Sequence, residues 1–271
     1  MELRGTHVLV TGGGSGIGRS LALRAASEGA RAVTVLDLGD AAHDTANQVE
    51  AGGAESVGVV NDVTDGSALA EAVAASVSRF GPVDFACANA GVAIGTGLAT
   101  PDAVWQKCWD VNVLGVVNLA RAVLPDMASR GGGAFLVTAS AAGLLTSLDS
   151  APYAVTKHAA VALAEWLAIT YAGAGVGFHC LCPQGVRTPM IETEGIGPST
   201  LAAGALLEPE EVADSVVKAL RAGQFLVLPH PEVAGFEQKR VADRDNWIAG
   251  MARWRDRVIG SAATSPPAAP G

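Results

Sequence analysis

Tyr153 and Lys157 stand four positions apart in a stretch, Ala151–Tyr171, whose apolar residues recur at helical spacing. Both side chains therefore project from one helix face, a turn apart. A phenol ordinarily titrates near pH 10 (about), and a neighbouring ammonium favours the phenolate. Such a pair can remove a proton from a hydroxyl group near neutral pH. Ser140 ends an apolar run earlier in the chain and can hydrogen-bond an alcohol oxygen. A second cluster lies near the start: Thr11-Gly12-Gly13-Gly14-Ser15-Gly16-Ile17-Gly18 closes one apolar run and opens a helical stretch. Backbone N–H groups in such a turn can approach a pyrophosphate that any Cβ would fend off, and the helix start adds its positive end. Asp37, in Leu36-Asp37-Leu38, lies about twenty residues further on, where a carboxylate accepts from both ribose hydroxyls of a dinucleotide. It would repel a 2′-phosphate, and neither Ser15 nor Leu38 supplies a cation for one, so NAD is favoured over NADP. Taken singly, each feature also has a plain structural use: a surface pair, a strand-end cap, a tight turn or a helix cap. Asp40 is better placed than Asp37 for the last of these.

Apolar, strand-like runs alternate with helical ones from the beginning. The runs are His7–Val10, Ala32–Leu36, Ser56–Val60, Asp84–Ala88, Gly133–Ala139, Val176–Leu181 and Phe225–Leu228. Helical spacing covers Ser20–Glu28, Ala41–Ala51, Ser67–Arg79, Pro101–Arg130, Ala151–Tyr171 and Pro209–Ala222. This alternation predicts an α/β domain with a parallel sheet covered on both faces. The sequence reads as a single domain over residues 1–260. Pro189–Leu207 is expected to form a flap. Trp247, Met251, Trp254 and Val258 form an apolar helical face within an extension over residues 236–260, expected to cover the pocket or pack on a second subunit. Ser261–Gly271, rich in Ala, Pro and Ser, is expected to be disordered.

Several of these residues, in order, carry a resemblance. Thr11–Gly18, Asn61-Asp62-Val63, Asn89-Ala90-Gly91, Asn112, Ser140, Tyr153-x-x-x-Lys157 and Pro183-x-Gly185 resemble the ordered signature of the short-chain dehydrogenase/reductase family, from about residue 6 to residue 190. The resemblance implies a Rossmann-type doubly wound sheet of seven strands in order 3-2-1-4-5-6-7. It also implies a catalytic set of Asn112, Ser140, Tyr153 and Lys157. Lys157 would also bind the nicotinamide ribose, and Asn112 would hold a water linking Lys157 to solvent. Gly12, Ser15, Gly16, Ile17 and Gly18 would cradle the pyrophosphate. Asp62 and Val63 would border the adenine, and Asn89, Ala90 and Gly91 would line the cofactor channel. Pro183, Val186 and Thr188 would meet the carboxamide. In one place the chain departs: the family usually reads Pro-Gly after the sixth strand, whereas here Gln184 separates Pro183 from Gly185.

Composition narrows the partners. The chain of 271 residues is 49% hydrophobic and carries a net charge of −9, with its basic residues scattered. Nucleic acid and anionic membrane surfaces both need a basic face and are not expected as partners. The longest apolar stretches look too interrupted to span a bilayer. Four cysteines form no metal or disulfide framework, no metal site is expected, and no secretory signal is visible at the start. A cytoplasmic location is expected. The pocket walls are expected to be Val92, Ile94, Ala141–Leu145, Leu148, Met190, Ile191, Ile196, Leu206 and Leu207. These are mostly apolar, with Asp149, Glu192 and Glu194 the nearest acids and Arg187 the one nearby cation. The substrate expected is an apolar secondary alcohol or its ketone, interconverted by hydride transfer with NAD(H). An NADPH-dependent acyl-thioester ketoreductase, a non-catalytic NAD sensor and a sugar-nucleotide epimerase are weaker readings. The resemblance suggests a homotetramer or homodimer built on the helices that include Pro101–Arg130 and Ala151–Tyr171.

Overall fold

The computed structural model describes residues 1–193, 197, 199–200 and 203–260. Ile196, Glu194 and the tail Ser261–Gly271 lie outside the described residues, as does the side chain of Glu192.

Seven strands form one parallel sheet in the order β3-β2-β1-β4-β5-β6-β7. They are β1 His7–Thr11, β2 Ala32–Asp37, β3 Glu55–Val60, β4 Phe85–Ala88, β5 Gly133–Thr138, β6 Val176–Leu181 and β7 Leu226–Val227. Val8 pairs with Val33 and Val10 with Val35 across β1 and β2. Successive side chains point to opposite faces, so Val8 and Val10 meet one helical layer while Leu9 meets the other. The first layer consists of α1 Gly16–Ser27, α2 Ala41–Ala51 and α9 Pro209–Ala222; Leu21, Ala22, Ala42, Val49, Val212 and Val216 pack there. The second consists of α3 Gly66–Phe80, α5 Gly115–Arg130 and α7 Ala151–Thr170; Leu69, Val73, Leu119, Val123, Ala160 and Ala164 pack on Leu9 and Leu36. This is the doubly wound Rossmann-type sheet the sequence predicts. Strand order reverses between β1 and β4, and the carboxyl ends of strands flanking such a reversal leave a crevice.

Four local features were not foreseen. The expected helix Pro101–Arg130 is two α-helices, α4 Asp102–Trp109 and α5, joined by a π-turn over Asp110–Leu114. By length and composition the whole of Asp102–Arg130 could span a membrane, contrary to the reading of interrupted apolar stretches; half of its most apolar window is buried inside the protein. A short helix, α6 Ala142–Leu145, follows Ser140. The flap begins with α8 Pro189–Thr193 and returns through a bridge between Val186 and Leu207. The C-terminal extension is two helices, α10 Glu232–Ala242 and α11 Arg244–Val258. Asp243 separates them because its carboxylate accepts from Asn246 N at 2.9 Å, starting a new helix.

Candidate active site

The glycine turn between β1 and α1 is shaped by close approaches. Gly12 has φ +62°, and a Cβ there would stand 2.8 Å from Ala90 Cα; at Gly18 a Cβ would stand 2.0 Å from Gly12 O. Gly14 N donates to Asp37 Oδ2 at 2.8 Å, tying the end of β2 to the turn. Asn89 Nδ2 donates to the carbonyls of Thr11 and Gly12, both at 3.2 Å. Thr11 Oγ1 accepts from Asn89 N at 3.0 Å and from Ala90 N at 3.2 Å. The segment Asn89–Gly91 is thereby stitched to the turn. Asp62 Oδ1 accepts from Thr64 N at 2.9 Å and from Thr64 Oγ1 at 2.8 Å, shaping the loop after β3. Val63 is buried against Gly115.

This crevice fits a dinucleotide. Ser15 precedes α1 but makes no side-chain capping bond, so the first N–H groups of the helix are available to an anion. Asn61 Oδ1, on the crevice wall beside Asp37, is buried with no partner among the described residues. Gly12, Ser15, Gly16, Ile17, Asp37, Asp62, Val63, Asn89, Ala90 and Gly91 all line it, and Pro183, Val186 and Thr188 line its inner end. Gly18 stands behind the turn.

The same cavity continues past β4 and β5 to the second cluster. Ser150 starts α7: its Oγ accepts from Tyr153 N at 3.3 Å and donates to Ile94 O at 3.3 Å. One turn on, Lys157 is 4% exposed, and its Nζ donates to Thr138 O at 2.9 Å. The ammonium lies 5.6 Å from the Tyr153 ring centre. Burial lowers the lysine pKa to about 8, because a charged group loses its hydration there. Ser140 Oγ accepts from Ala142 N at 3.1 Å, at the start of α6, and donates to Pro183 O at 3.4 Å. Ser140, Tyr153 and Lys157 thus share one cavity wall. Asn112 is buried behind it on the π-turn, a frequent position for functional residues. Its Oδ1 accepts from Val92 N at 2.8 Å. Its Nδ2 donates to Val92 O at 2.9 Å and to Thr156 Oγ1 at 3.0 Å. The carboxamide is committed to protein and clamps the loop after β4 to α7. Gly91 leaves room for both, since a Cβ there would be 3.2 Å from Asn112 Oδ1 and 3.3 Å from Lys157 Nζ.

The cavity has a volume of about 1800 Å³, beyond the roughly 300–1,000 Å³ of an ordinary small-ligand site. Of the expected pocket walls, Val92, Ala141, Ala142, Leu145, Leu148, Met190 and Ile191 line it. Ile94, Gly143, Leu144, Leu206 and Leu207 do not. Leu206 instead packs against Gly185, and Ile94 and Leu207 spend backbone groups on Ser150, Gly185 and Arg187. Arg187 also lies off the wall, its Nε donating to Glu208 Oε1 at 2.8 Å. Asp149 is occupied by the flap, accepting from Ser199 and Thr200. The roof was only half foreseen: Phe236 from α10, and Trp247, Met251, Trp254 and Arg255 from α11, face the cavity, with Ile259 rather than Val258 continuing the stripe. His230 gave no sequence signal because its partner, Gln184 N, is remote in the chain, whereas Ser150, the N-cap three residues before Tyr153, carried a local signal that the sequence reading missed.

Known proteins with this arrangement are numerous. The short chain dehydrogenase profile matches residues 6–196. The 1-deoxy-11-beta-hydroxypentalenate dehydrogenase of Streptomyces avermitilis is 33% identical over 98% of this chain and 100% of its own length. The (-)-trans-carveol dehydrogenase of Rhodococcus erythropolis is 35% identical over 72% of this chain and 76% of its own. A crystal structure of a short chain dehydrogenase/reductase from Burkholderia phymatum in complex with NAD superposes with a TM-score of 0.82 at 31% identity, covering 90% of this chain and 96% of that one. With a glycine turn, a serine and a Tyr-x-x-x-Lys helix brought to one cavity of a doubly wound sheet, the chain belongs to the short-chain dehydrogenase/reductase family and is an oxidoreductase of the dehydrogenase type.

Proposed function

We propose that the chain interconverts an apolar secondary alcohol and its ketone, with NAD(H) as its cofactor and Tyr153 as acid and base. The observation that carries this reading is the convergence of Ser140, Tyr153 and buried Lys157 on the wall of a cavity whose other end is the glycine cradle. Gly12, Ser15, Gly16 and Ile17 hold the pyrophosphate, with Gly18 letting α1 pack closely behind the turn, and Asp37 takes the adenosine ribose. Its carboxylate disfavours a 2′-phosphate, and the NAD complex of the Burkholderia neighbour agrees with that choice. Asp62 and Val63 flank the adenine; Asn89, Ala90 and Gly91 line the channel; Pro183, Val186 and Thr188 hold the carboxamide. When bound, the nicotinamide supplies the hydride acceptor beside the substrate carbon.

The chain's own groups supply the rest. Ser140 Oγ, braced by Ala142 N, hydrogen-bonds the substrate oxygen and turns it toward Tyr153. Tyr153, as phenolate, takes the hydroxyl proton while hydride leaves the same carbon, and gives a proton back in the reverse direction. Lys157 stabilises the phenolate through its charge and fixes the ribose. Asn112 holds the loop and α7 at the spacing this requires. The roof of Phe236, Trp247, Met251 and Trp254 supports an apolar substrate, as does the alcohol name of the carveol relative; the hydroxypentalenate of the other relative is an alcohol that also carries a carboxylate.

Replacing Tyr153 with Phe is expected to lower NAD+ reduction at least 100-fold (roughly) with alcohols the parent oxidises, while NADH binding, followed by its fluorescence, stays near the parent's. Activity within tenfold of the parent would refute Tyr153 as the acid/base. Running NAD+ and NADP+ in parallel tests the cofactor: Asp37→Ala should erode the preference for NAD+, and a parent that prefers NADP+ contradicts it.

We also propose a homo-oligomer. Trp109, Leu114, Val155, Trp166 and Ile169 are exposed large apolar residues on the α4–α5 and α7 helices, the surfaces that a second copy would cover.

A further inference from the structure

α10 and α11 roof the cavity, yet little of them is buried. Val233 is the one buried residue of α10, and α11 has none. Phe236 and Trp247 are partly buried and pack against the core. So small a buried face is typical of segments that open locally, and the far end of α10 needs another hold. Arg240 supplies one: its Nη2 stands 3.3 Å from Nε2 of His158 on α7. The other ring nitrogen settles which way this bond runs. His158 Nδ1 is 2.8 Å from Ala154 O, and a carbonyl can only accept, so the proton sits on Nδ1. Nε2 is left as an acceptor, and the guanidinium donates to it.

A hydrogen bond with one charged partner is stronger than a neutral pair. Here it forms against opposition: burial, and after it the neighbouring Arg244, hold the Arg240 pKa below its usual range, with Glu237 acting the other way. The place of the bond in the fold gives it a use. Val233, Phe236 and Arg240 fall at i, i+3 and i+7, on one face of α10. Val233 is seated in the core, Arg240 is tied to α7, and Phe236 between them faces the cavity. At the other end of the bond, His158 directly follows Lys157, whose Nζ is fixed on Thr138 O. A single helix thus carries Tyr153 and Lys157 and also the mooring of the roof.

We infer that the bond from Arg240 to His158 holds the roof at the height that grips an apolar substrate. Both are then positioning residues for the reaction. Neither lines the cavity; they act through Phe236 and, by way of the turn at Asp243, through Trp247, Met251 and Trp254. This rests on the proposed function insofar as the substrate lies beneath that roof.

The test compares three variants: His158→Phe removes the acceptor and keeps a ring, His158→Gln keeps an acceptor, and Arg240→Met keeps the stem and removes the donor. With NAD+ and borneol as the probe alcohol, His158→Phe and Arg240→Met should each raise KM roughly tenfold, with kcat within about threefold of the parent's. His158→Gln should stay within about threefold of the parent in both. Trypsin gives a reading that needs no activity. It can cut after Lys239, Arg244, Arg253, Arg255 and Arg257, and a helix is cut where it opens. These cuts should come about tenfold faster in His158→Phe than in the parent, and no faster in His158→Gln. Trypsin rates of parent and His158→Phe that agree, or a His158→Gln variant as damaged as His158→Phe, overturn the inference. If no alcohol is oxidised at all, it is the proposed function that fails, and the trypsin rates still decide for or against the bond. Melting curves show whether His158→Phe folds; if it does not, Arg240→Met decides through the same KM and the same cuts.

Discussion

Lys157 shows how a reactive residue is held against its own preference. Its ammonium is buried, and its pKa falls from 10.5 to about 8. Below pH 8 the folded and unfolded chains both carry the charge, and folding bears the full cost of burying it. Between about 8 and 10.5 the folded protein releases the proton first, so that cost shrinks as pH rises. Replacing Lys157 with Met should therefore abolish catalysis and yet raise the melting temperature at pH 7, by an amount that dwindles as pH approaches 10.5. A variant that melts below the parent at pH 7 would show that the bond to Thr138 O outweighs the burial cost. Tyr153, Lys157, Ser140 and Asp37 were legible in the sequence because helical spacing and strand ends fix where such residues point. His230 was not, because a histidine bonded to a remote partner has the same local sequence as one that is not; Ser150 was readable as a helix cap but not as a brace on the distant Ile94 carbonyl.

Among the elements, all seven strands were read correctly in place, since buried parallel strands are continuous apolar runs. The breaks in helices were missed. The π-turn changes no residue type, and the periodicity of Pro101–Arg130 drifts too little to betray it. The C-terminal extension was foreseen as an apolar stripe that would cover the pocket or pack on a second subunit, but its division into two helices and the part played by Phe236 were not. No residue of α11 is buried, although Trp247, Met251 and Trp254 turn toward the cavity. Trp247 also packs against the core, so the stripe joins the cavity to the body of the protein. Trp254→Ala should raise KM for a bicyclic alcohol by about tenfold, from the aromatic area lost, with kcat changed less than threefold. An unchanged KM for bicyclic and monocyclic alcohols alike would remove Trp254 from the substrate site.

Across the whole molecule, chemistry is concentrated at the carboxyl rim of the sheet, where the strand order reverses, and charge is kept acidic at −9. The outer helices expose apolar surface, the face proposed above for self-association: Trp166 is 58% exposed and Ile169 76%. The double substitution Trp166→Glu with Ile169→Glu is expected to shift the sedimentation of the parent oligomer to that of a monomer. A parent that already sediments as a monomer, or a double variant that stays assembled, speaks against this face. The π-turn over Asp110–Leu114 has a last consequence, one of counting. A helix advances about 100° per residue, and a π-turn conceals one extra residue in the winding. Deleting a single residue of this turn other than Asn112 would heal it into ordinary helix and leave α4 and α5 nearly in phase, while the residues of the turn itself change direction. The grip of Asn112 on Val92 would slip out of phase without any contact residue having changed its identity. At this point in the chain, length itself is encoded as strictly as any side chain.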